Sequence, residues 1–167
     1  MSAAETIDDL VARIGAVLVT RGATLATAES CTGGLVAAAF TSRAGSSAWF
    51  ERGVVTYSNA AKTELLGVPS GLIAHHGAVS AEVARAMAEG LLARSPAFVT
   101  VAITGVAGPD GGTAAKPVGT VWIATAARGG VAEATLLNAS GDRAAVRERS
   151  VARALELVLT RIAPAPR

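Results

Sequence analysis

The apolar residues of this chain change spacing repeatedly, from a helical repeat to short continuous runs and back, and few folds accommodate that alternation. Ile7, Leu10, Val11, Ile14, Val17 and Leu18 recur at helical spacing, which predicts a helix over 6–20 that Arg21-Gly22 ends. A short strand follows over 24–29, then a helix over 32–42 opened by Gly33-Gly34, then a strand over 50–57. Asn59 is expected to cap a short helix through Leu66, and Ser80 a longer one with its body over 82–94. His75-His76-Gly77 between them reads as a turn. A buried strand over 98–104 leads into a long loop over 105–117. Residues 118–127 and 131–138 flank Arg128-Gly129-Gly130 as a hairpin, a last helix covers 142–162, and Pro164-Ala165-Pro166 reads as a frayed tail. Strands alternating with helices, with a hairpin late in the chain, predict an α/β protein. The expected architecture is a three-layer α/β/α sandwich with a mixed, mostly parallel sheet. At 167 residues, with no repeat or linker, one domain over 1–167 is expected.

Composition excludes several classes of function. Hydrophobic residues make up 51% and aromatics only 4%, so the core is expected to be alanine-rich and tightly packed. The net charge is +2 with both signs interspersed, which argues against a nucleic-acid partner. Cys31 is the sole cysteine, so an internal disulfide and a cysteine-cluster metal site are ruled out. No uncharged apolar run reaches the roughly 18 residues that span a bilayer. The N-terminus carries Glu5, Asp8 and Asp9 rather than a basic region, so no signal peptide and no membrane partner are expected. A cytoplasmic location follows as the expectation.

Four constellations could carry chemistry. In the first, Thr27-Ala28-Glu29-Ser30-Cys31-Thr32-Gly33-Gly34, a strand runs into a small polar turn that opens a helix. Ligands of open α/β sheets sit at the carboxyl ends of strands, and a serine there lies beside helix-terminal amides that can hold an oxyanion or a phosphate. Ser30 and Thr32 can equally be read as helix caps. Cys31 is a rival nucleophile, although a lone cysteine more often packs as a small hydrophobe. In the second constellation, Lys62 follows Asn59 in the first helical turn. A cation there opposes the helix dipole, which suits a lysine whose pKa must fall so that it can act as a base. The chain holds two lysines, Lys62 and Lys116, against 13 arginines, and lysine alone of the two can lose its proton in a protein. Tyr57, the only tyrosine, ends the preceding strand.

The third constellation is the glycine-rich loop after the buried strand, with Thr104, Gly105, Gly108, Gly111 and Gly112. Its amides can form an anion-binding concavity, yet it matches neither the P-loop nor the dinucleotide fingerprint. Lys116, on its return leg, reads as a binding group or as a solvated charge. The fourth is Gly141-Asp142-Arg143, where Asp142 suits a cap and Arg143 is a cation at a helix start that a bound anion would satisfy. Arg147 and Arg149 read as surface charges, and His75 and His76 as turn or packing residues. Ser46-Ser47 sits in a loop as motif-like as that of Ser30.

Taken together, segments 27–34, 44–50, 53–62, 76–80, 104–112, 116–121 and 141–143 give a sequence that resembles the CinA C-terminal domain family, in order and over nearly the whole chain. The characterised enzymes of that family are nicotinamide-nucleotide amidohydrolases. The resemblance implies hydrolysis of the carboxamide of nicotinamide mononucleotide to nicotinate mononucleotide and ammonia, a step that recycles pyridine nucleotide. It implies Ser30 as nucleophile, Lys62 as base and Tyr57 as an aid to proton transfer, with Ser47 as the rival nucleophile. Thr32, Gly33, Ser46, Ser47, Thr104, Gly105, Gly108 and Arg143 would hold the substrate. No metal and no cofactor is implied. Family members also occur fused to a larger domain linked to competence and nucleotide pyrophosphate cleavage, and the length of this chain sets the expectation of the deamidase activity alone. A regulatory nucleotide-binding module without turnover is the alternative. A homo-oligomer, such as a dimer, would cover alanine-rich faces.

Overall fold

The computed structural model of the chain describes residues 5–163. The expected tail at 164–166 and the first four residues of the N-terminal segment lie outside the described residues. In chain order the elements are α1 (Ile7–Arg21), β1 (Leu25–Glu29), α2 (Leu35–Thr41), a single 3-10 turn (Ser46–Ala48), β2 (Phe50–Val55), α3 (Asn59–Leu66), α4 (Ser70–His76), α5 (Ala81–Arg94), β3 (Val99–Gly105), β4 (Thr120–Ala127), β5 (Glu133–Asn138) and α6 (Arg143–Ile162).

The five strands form one sheet in the order β2-β1-β3-β4-β5. β1 pairs in parallel with β2 and β3, while β4 is antiparallel to both β3 and β5. Four strands therefore share one direction and β4 runs against them, so the sheet is mixed and mostly parallel, as expected. β4 and β5 are the two arms of the expected hairpin.

Alternation along the strands builds two unlike faces. Leu25, Val99, Val101, Ile103, Val121 and Ile123 point to one side and pack with Leu10, Ile14 and Leu18 of α1, Phe40 of α2, and Leu155 and Val158 of α6. Ala26, Ala28, Ala102, Ala124 and Ala126 point to the other, under Val83, Met87 and Leu91 of α5, with Leu66 and Ile73 of α3 and α4 beside them. Two helix layers thus enclose the sheet, the three-layer arrangement expected for these elements. The alanine content is concentrated on the second face, where small side chains let α5 lie close to the strands.

That close approach extends to α3. A Cβ added at Gly90 of α5 would sit 2.0 Å from the backbone oxygen of Leu66, so glycine at this position lets the end of α3 rest directly on α5. α3 carries Lys62, and this contact helps fix its position.

Three local expectations are corrected. Residues 75–76 are not a turn: they end α4, and Gly77 alone leaves the helix with φ +78°. Asn59 is not the cap of α3. Ser58 is, its hydroxyl accepting from the Ala61 amide at 3.0 Å, so Lys62 lies one position deeper in the helix than expected. Helix α2 starts at Leu35 rather than 32, because Gly33 and Gly34 take φ of +58° and +100°, outside helical geometry. The expected caps Ser80 and Asp142 are in place, accepting from Val83 at 3.3 Å and Ala145 at 2.9 Å.

Candidate active site

The carboxyl ends of the parallel strands β1 and β3 open onto one pocket of about 280 Å³. Its walls come from six places in the sequence: Ser30 and Cys31 after β1, Tyr57 after β2, Asn59 and Lys62 on α3, Ala78 and Val79 before α5, the stretch from Thr104 to Gly111 at the end of β3 and beyond it, and Arg143 at the start of α6. Such a convergence at strand ends is where ligands of open α/β sheets bind.

Ser30 leaves β1 with its amide donating to Ile103 of β3 at 2.9 Å, and its carbonyl accepts from Gly33 at 3.0 Å. Helix α2 has no side-chain cap of its own. The residue just before Ser30 supplies it: Glu29 is fully buried, and its two carboxylate oxygens accept from the amides of Val36 at 2.8 Å and Ala37 at 3.0 Å. A carboxylate at a helix N-terminus is favoured by the free amides and by the dipole. Glu29 thereby ties the Ser30 turn to both the sheet and the helix. Its signal in the sequence is a carboxylate closing a buried strand ahead of a helix that lacks a capping side chain.

Lys62 is 1% exposed, which is rare for a lysine. Its Nζ lies 3.1 Å from Ser30 Oγ, 2.9 Å from the Thr56 carbonyl oxygen and 3.4 Å from that of Tyr57. Burial holds its pKa below the ordinary lysine value, because the charged form loses water, a loss that the neighbouring Cys31 thiol offsets only in part. Nζ donates to all three, and the bond to Ser30 is the one that can reverse: a hydroxyl can also donate, so loss of a proton from Lys62 would leave a lone pair facing the Ser30 O–H. Cys31 is buried and its thiol is pushed up to about 11 by burial, so it carries little thiolate at neutral pH.

Arg143 bridges the pocket mouth. Its guanidinium donates to the Gly108 carbonyl at 2.8 Å and to the Tyr57 hydroxyl at 3.0 Å. Tyr57, itself 60% exposed, accepts that bond and keeps its own O–H proton free to donate. Thr104 is buried and anchors the wall at Ala78, whose carbonyl accepts from its hydroxyl at 2.8 Å. Lys116 is not merely a solvated charge: it is half-buried and donates to the His76 carbonyl at the end of α4, at 2.8 Å. Among the described residues no three of His, Cys, Asp and Glu converge as a metal-ligand set.

Of the residues singled out from sequence, Ser30, Lys62, Tyr57, Thr104, Gly105, Gly108 and Arg143 come together around this pocket. Cys31, Asn59 and Gly111 line it as well, whereas Thr32, Gly33, Ser46 and Ser47 do not. Thr32 is fully buried, and Gly33 faces Arg147. Ser46 and Ser47 lie just before Trp49, whose carbonyl accepts from Leu25 at the amino end of β1. They are therefore about one strand length, roughly 15 Å, from the end that carries Ser30. Arg147, read as a surface charge, is half-buried and donates to the Thr32 carbonyl at 3.1 Å. Arg149 is exposed, as expected.

The fold is that of an open-sheet α/β protein with a pocket at the strand ends, lined by a buried serine–lysine pair. Residues 7–162 match the model of the CinA C-terminal domain, and the chain belongs to that family. It is 54% identical over 144 residues to the nicotinamide-nucleotide amidohydrolase PncC of Escherichia coli K12, a match covering 86% of this chain and 87% of that protein. It is 54% identical over 152 residues to a CinA-like protein of Mycolicibacterium vanbaalenii, covering 91% of this chain but 35% of the relative. The chain thus spans about a third of the length of that relative. A putative competence-damage inducible protein of Symbiobacterium thermophilum is likewise matched over 36% of its length. Among solved structures, the competence/damage inducible protein CihA of Agrobacterium tumefaciens superposes with a TM-score of 0.91 at 45% identity, covering 96% of this chain and 98% of that one. No helix among the described residues is long and apolar enough to cross a membrane.

Proposed function

We propose that the protein hydrolyses the carboxamide of nicotinamide mononucleotide, releasing ammonia and nicotinate mononucleotide, by a serine–lysine mechanism. The observation that supports the mechanism most is the contact set of Lys62 Nζ: two carbonyl acceptors and one hydroxyl, in a site that disfavours the charged amine. The substrate reading draws on the 54% identity to the amidohydrolase of matching length.

Ser30 Oγ attacks the amide carbon while its proton passes to Lys62 Nζ. The C–O bond forms, the carbonyl becomes an oxyanion, and Lys62 becomes an ammonium. The backbone N–H of Cys31, which lines the pocket, donates to no backbone carbonyl among the described residues, and it is the nearest donor in sequence for that oxyanion. Collapse breaks the C–N bond, and the leaving nitrogen takes the proton from Lys62, with the Tyr57 hydroxyl assisting the relay. Ammonia departs and leaves an ester on Ser30. Water, deprotonated by the regenerated Lys62 amine, attacks the ester, and Ser30 leaves with the returned proton. Arg143 and the amides of the glycine-rich loop hold the phosphate and ribose end. A cytoplasmic location and association into a dimer belong to the same proposal, the second open to a light-scattering measurement.

The test is ammonia release from nicotinamide mononucleotide by chelator-treated protein, with the nucleotide product identified. One ammonia per nicotinate mononucleotide is expected. Nucleotide binding without ammonia at high protein concentration would overturn the reading in favour of a regulatory module.

A further inference from the structure

We propose that Arg147 is a positioning residue that holds the Ser30 turn in its reactive shape, through the peptide group between Thr32 and Gly33. The proposal rests on Ser30 being the nucleophile.

Arg143 and Arg147 are one helical turn apart on α6 and project on the same side, yet they serve different places. Arg143 reaches out to the pocket mouth and lines the pocket, and Arg147 lies behind the Ser30 turn and does not. Arg147 Nη2 donates to the Thr32 carbonyl at 3.1 Å, and that carbonyl also accepts from the Leu35 amide at 3.1 Å. At the other end of the same peptide group, the Gly33 amide donates to the Ser30 carbonyl at 3.0 Å. A line of hydrogen bonds thus runs from a fixed cation, through one peptide plane, to the backbone of the nucleophile, and each bond polarises the next.

Two features indicate that this contact serves the turn rather than general stability. Arg147 Nε is buried with no acceptor among the described residues, so this nitrogen gives up water without a partner while Nη2 bonds the turn. The turn also has little else to hold it. Gly33 and Gly34 both take positive φ, with φ +58° at Gly33, and no side chain of residues 30–34 caps α2. Glu29 holds the far side of the turn through Val36 and Ala37, and Arg147 holds the near side. A Cβ at Gly33 would lie 3.5 Å from Arg147 Nη2, so the guanidinium rests against this glycine. Released from Arg147, the 32–33 peptide can rotate, and Ser30 Oγ drifts from the line joining Lys62 to the substrate. An error of about 1 Å in such a placement costs on the order of 100-fold in rate.

The experiment compares the parent with Arg147→Met, which keeps the aliphatic stem, and Arg147→Lys, which keeps one cationic donor. Three quantities are read: kcat and KM for ammonia release from nicotinamide mononucleotide, the rate at which diisopropyl fluorophosphate labels Ser30, and the thermal midpoint. Arg147→Met is expected to lose kcat by about 100-fold with KM within about twofold of the parent, to label Ser30 correspondingly slowly, and to remain folded. Arg147→Lys is expected to recover part of both rates. If Arg147→Met does not fold, Arg147→Lys decides: a kcat several-fold below the parent at unchanged KM is expected, and a parental kcat overturns the proposal. An Arg147→Met enzyme with parental kcat, or one whose loss lies in KM, also overturns it. Failure of the underlying reading looks different: the parent itself then releases no ammonia or is not labelled at Ser30.

Discussion

Two turns of this chain look alike in sequence and behave differently in the fold. The Ser30 turn and the Ser46–Ser47 turn are both short, small and polar, and each contains a glycine at positive φ. The parallel pairing of β1 with β2 places the first beyond the carboxyl end of the strands and the second before their amino end. At the carboxyl end, Ser30 meets Lys62 Nζ at 3.1 Å, with a pocket in front of it. At the amino end, Ser46 and Ser47 close a 3-10 turn against Trp49 and line no part of that pocket. What sets the two serine turns apart is what the sheet brings opposite each, and the residues beside them in sequence carry little of that information.

The largest effect that can break this comparison is loss of the hydroxyl. Ser30→Ala is expected to lower kcat for ammonia release by about 1,000-fold or more, while Ser46→Ala and Ser47→Ala stay within about twofold. A large loss in Ser47→Ala with an active Ser30→Ala would reverse the roles of the two turns.

Next comes Lys62→Met, expected to lower kcat by about 100- to 10,000-fold and to raise the thermal midpoint at neutral pH. The sign follows from the direction of the shift. The folded chain holds the Lys62 pKa below its unfolded value, so between those two values the unfolded state binds the extra proton and stability rises with pH. The parent carries this cost at neutral pH and loses it as the pH climbs through the unfolded lysine range. The stability gain of Lys62→Met should therefore shrink with rising pH, as thermal melts at several pH values will show.

Arg143→Ala is expected to act on binding, raising KM by about tenfold or more through the lost charge-assisted bonds, with a smaller change in kcat. Beside the kcat loss expected for Arg147, it separates two arginines one turn apart by steady-state kinetics alone. The smallest effect is that of Cys31→Ala, expected to keep activity within about twofold. With the thiol pushed up to about 11, alkylation of the parent by iodoacetamide at pH 7 should be slow and should speed up as the pH rises.

The sequence carried the layers of this fold because periodicity records which face of each element is buried, and here two faces of one sheet are recorded in alternating residues such as Val99, Val101 and Ala102. It carried α4 poorly. That helix spans only Ser70–His76, includes Gly71, and has a single buried residue, Ile73, so no period can develop. Ser58 and Asn59 are both good caps and adjacent, and only the hydrogen bond from Ala61 chooses between them. In the site, Ser30, Lys62 and Arg143 stood out because each is chemically costly or unusual where it sits. Arg147 did not, since its partner, Thr32, is 115 residues away and an arginine on a surface-facing helix turn is ordinary. Ser46, Ser47, Thr32 and Gly33 share the motifs but do not line the pocket: strand direction separates the two serines from it, burial separates Thr32, and Gly33 faces Arg147 instead.

The most direct test of the account is the pH dependence of kcat/KM for ammonia release from nicotinamide mononucleotide between pH 6 and 10, measured for the parent and for Ser30→Ala. The parent is expected to rise through a single ionisation clearly below the ordinary lysine value of 10.5, with Ser30→Ala near background throughout. A flat parental profile with chemistry rate-limiting, or a Ser30→Ala enzyme that keeps the parental rate, would contradict a neutral Lys62 serving Ser30.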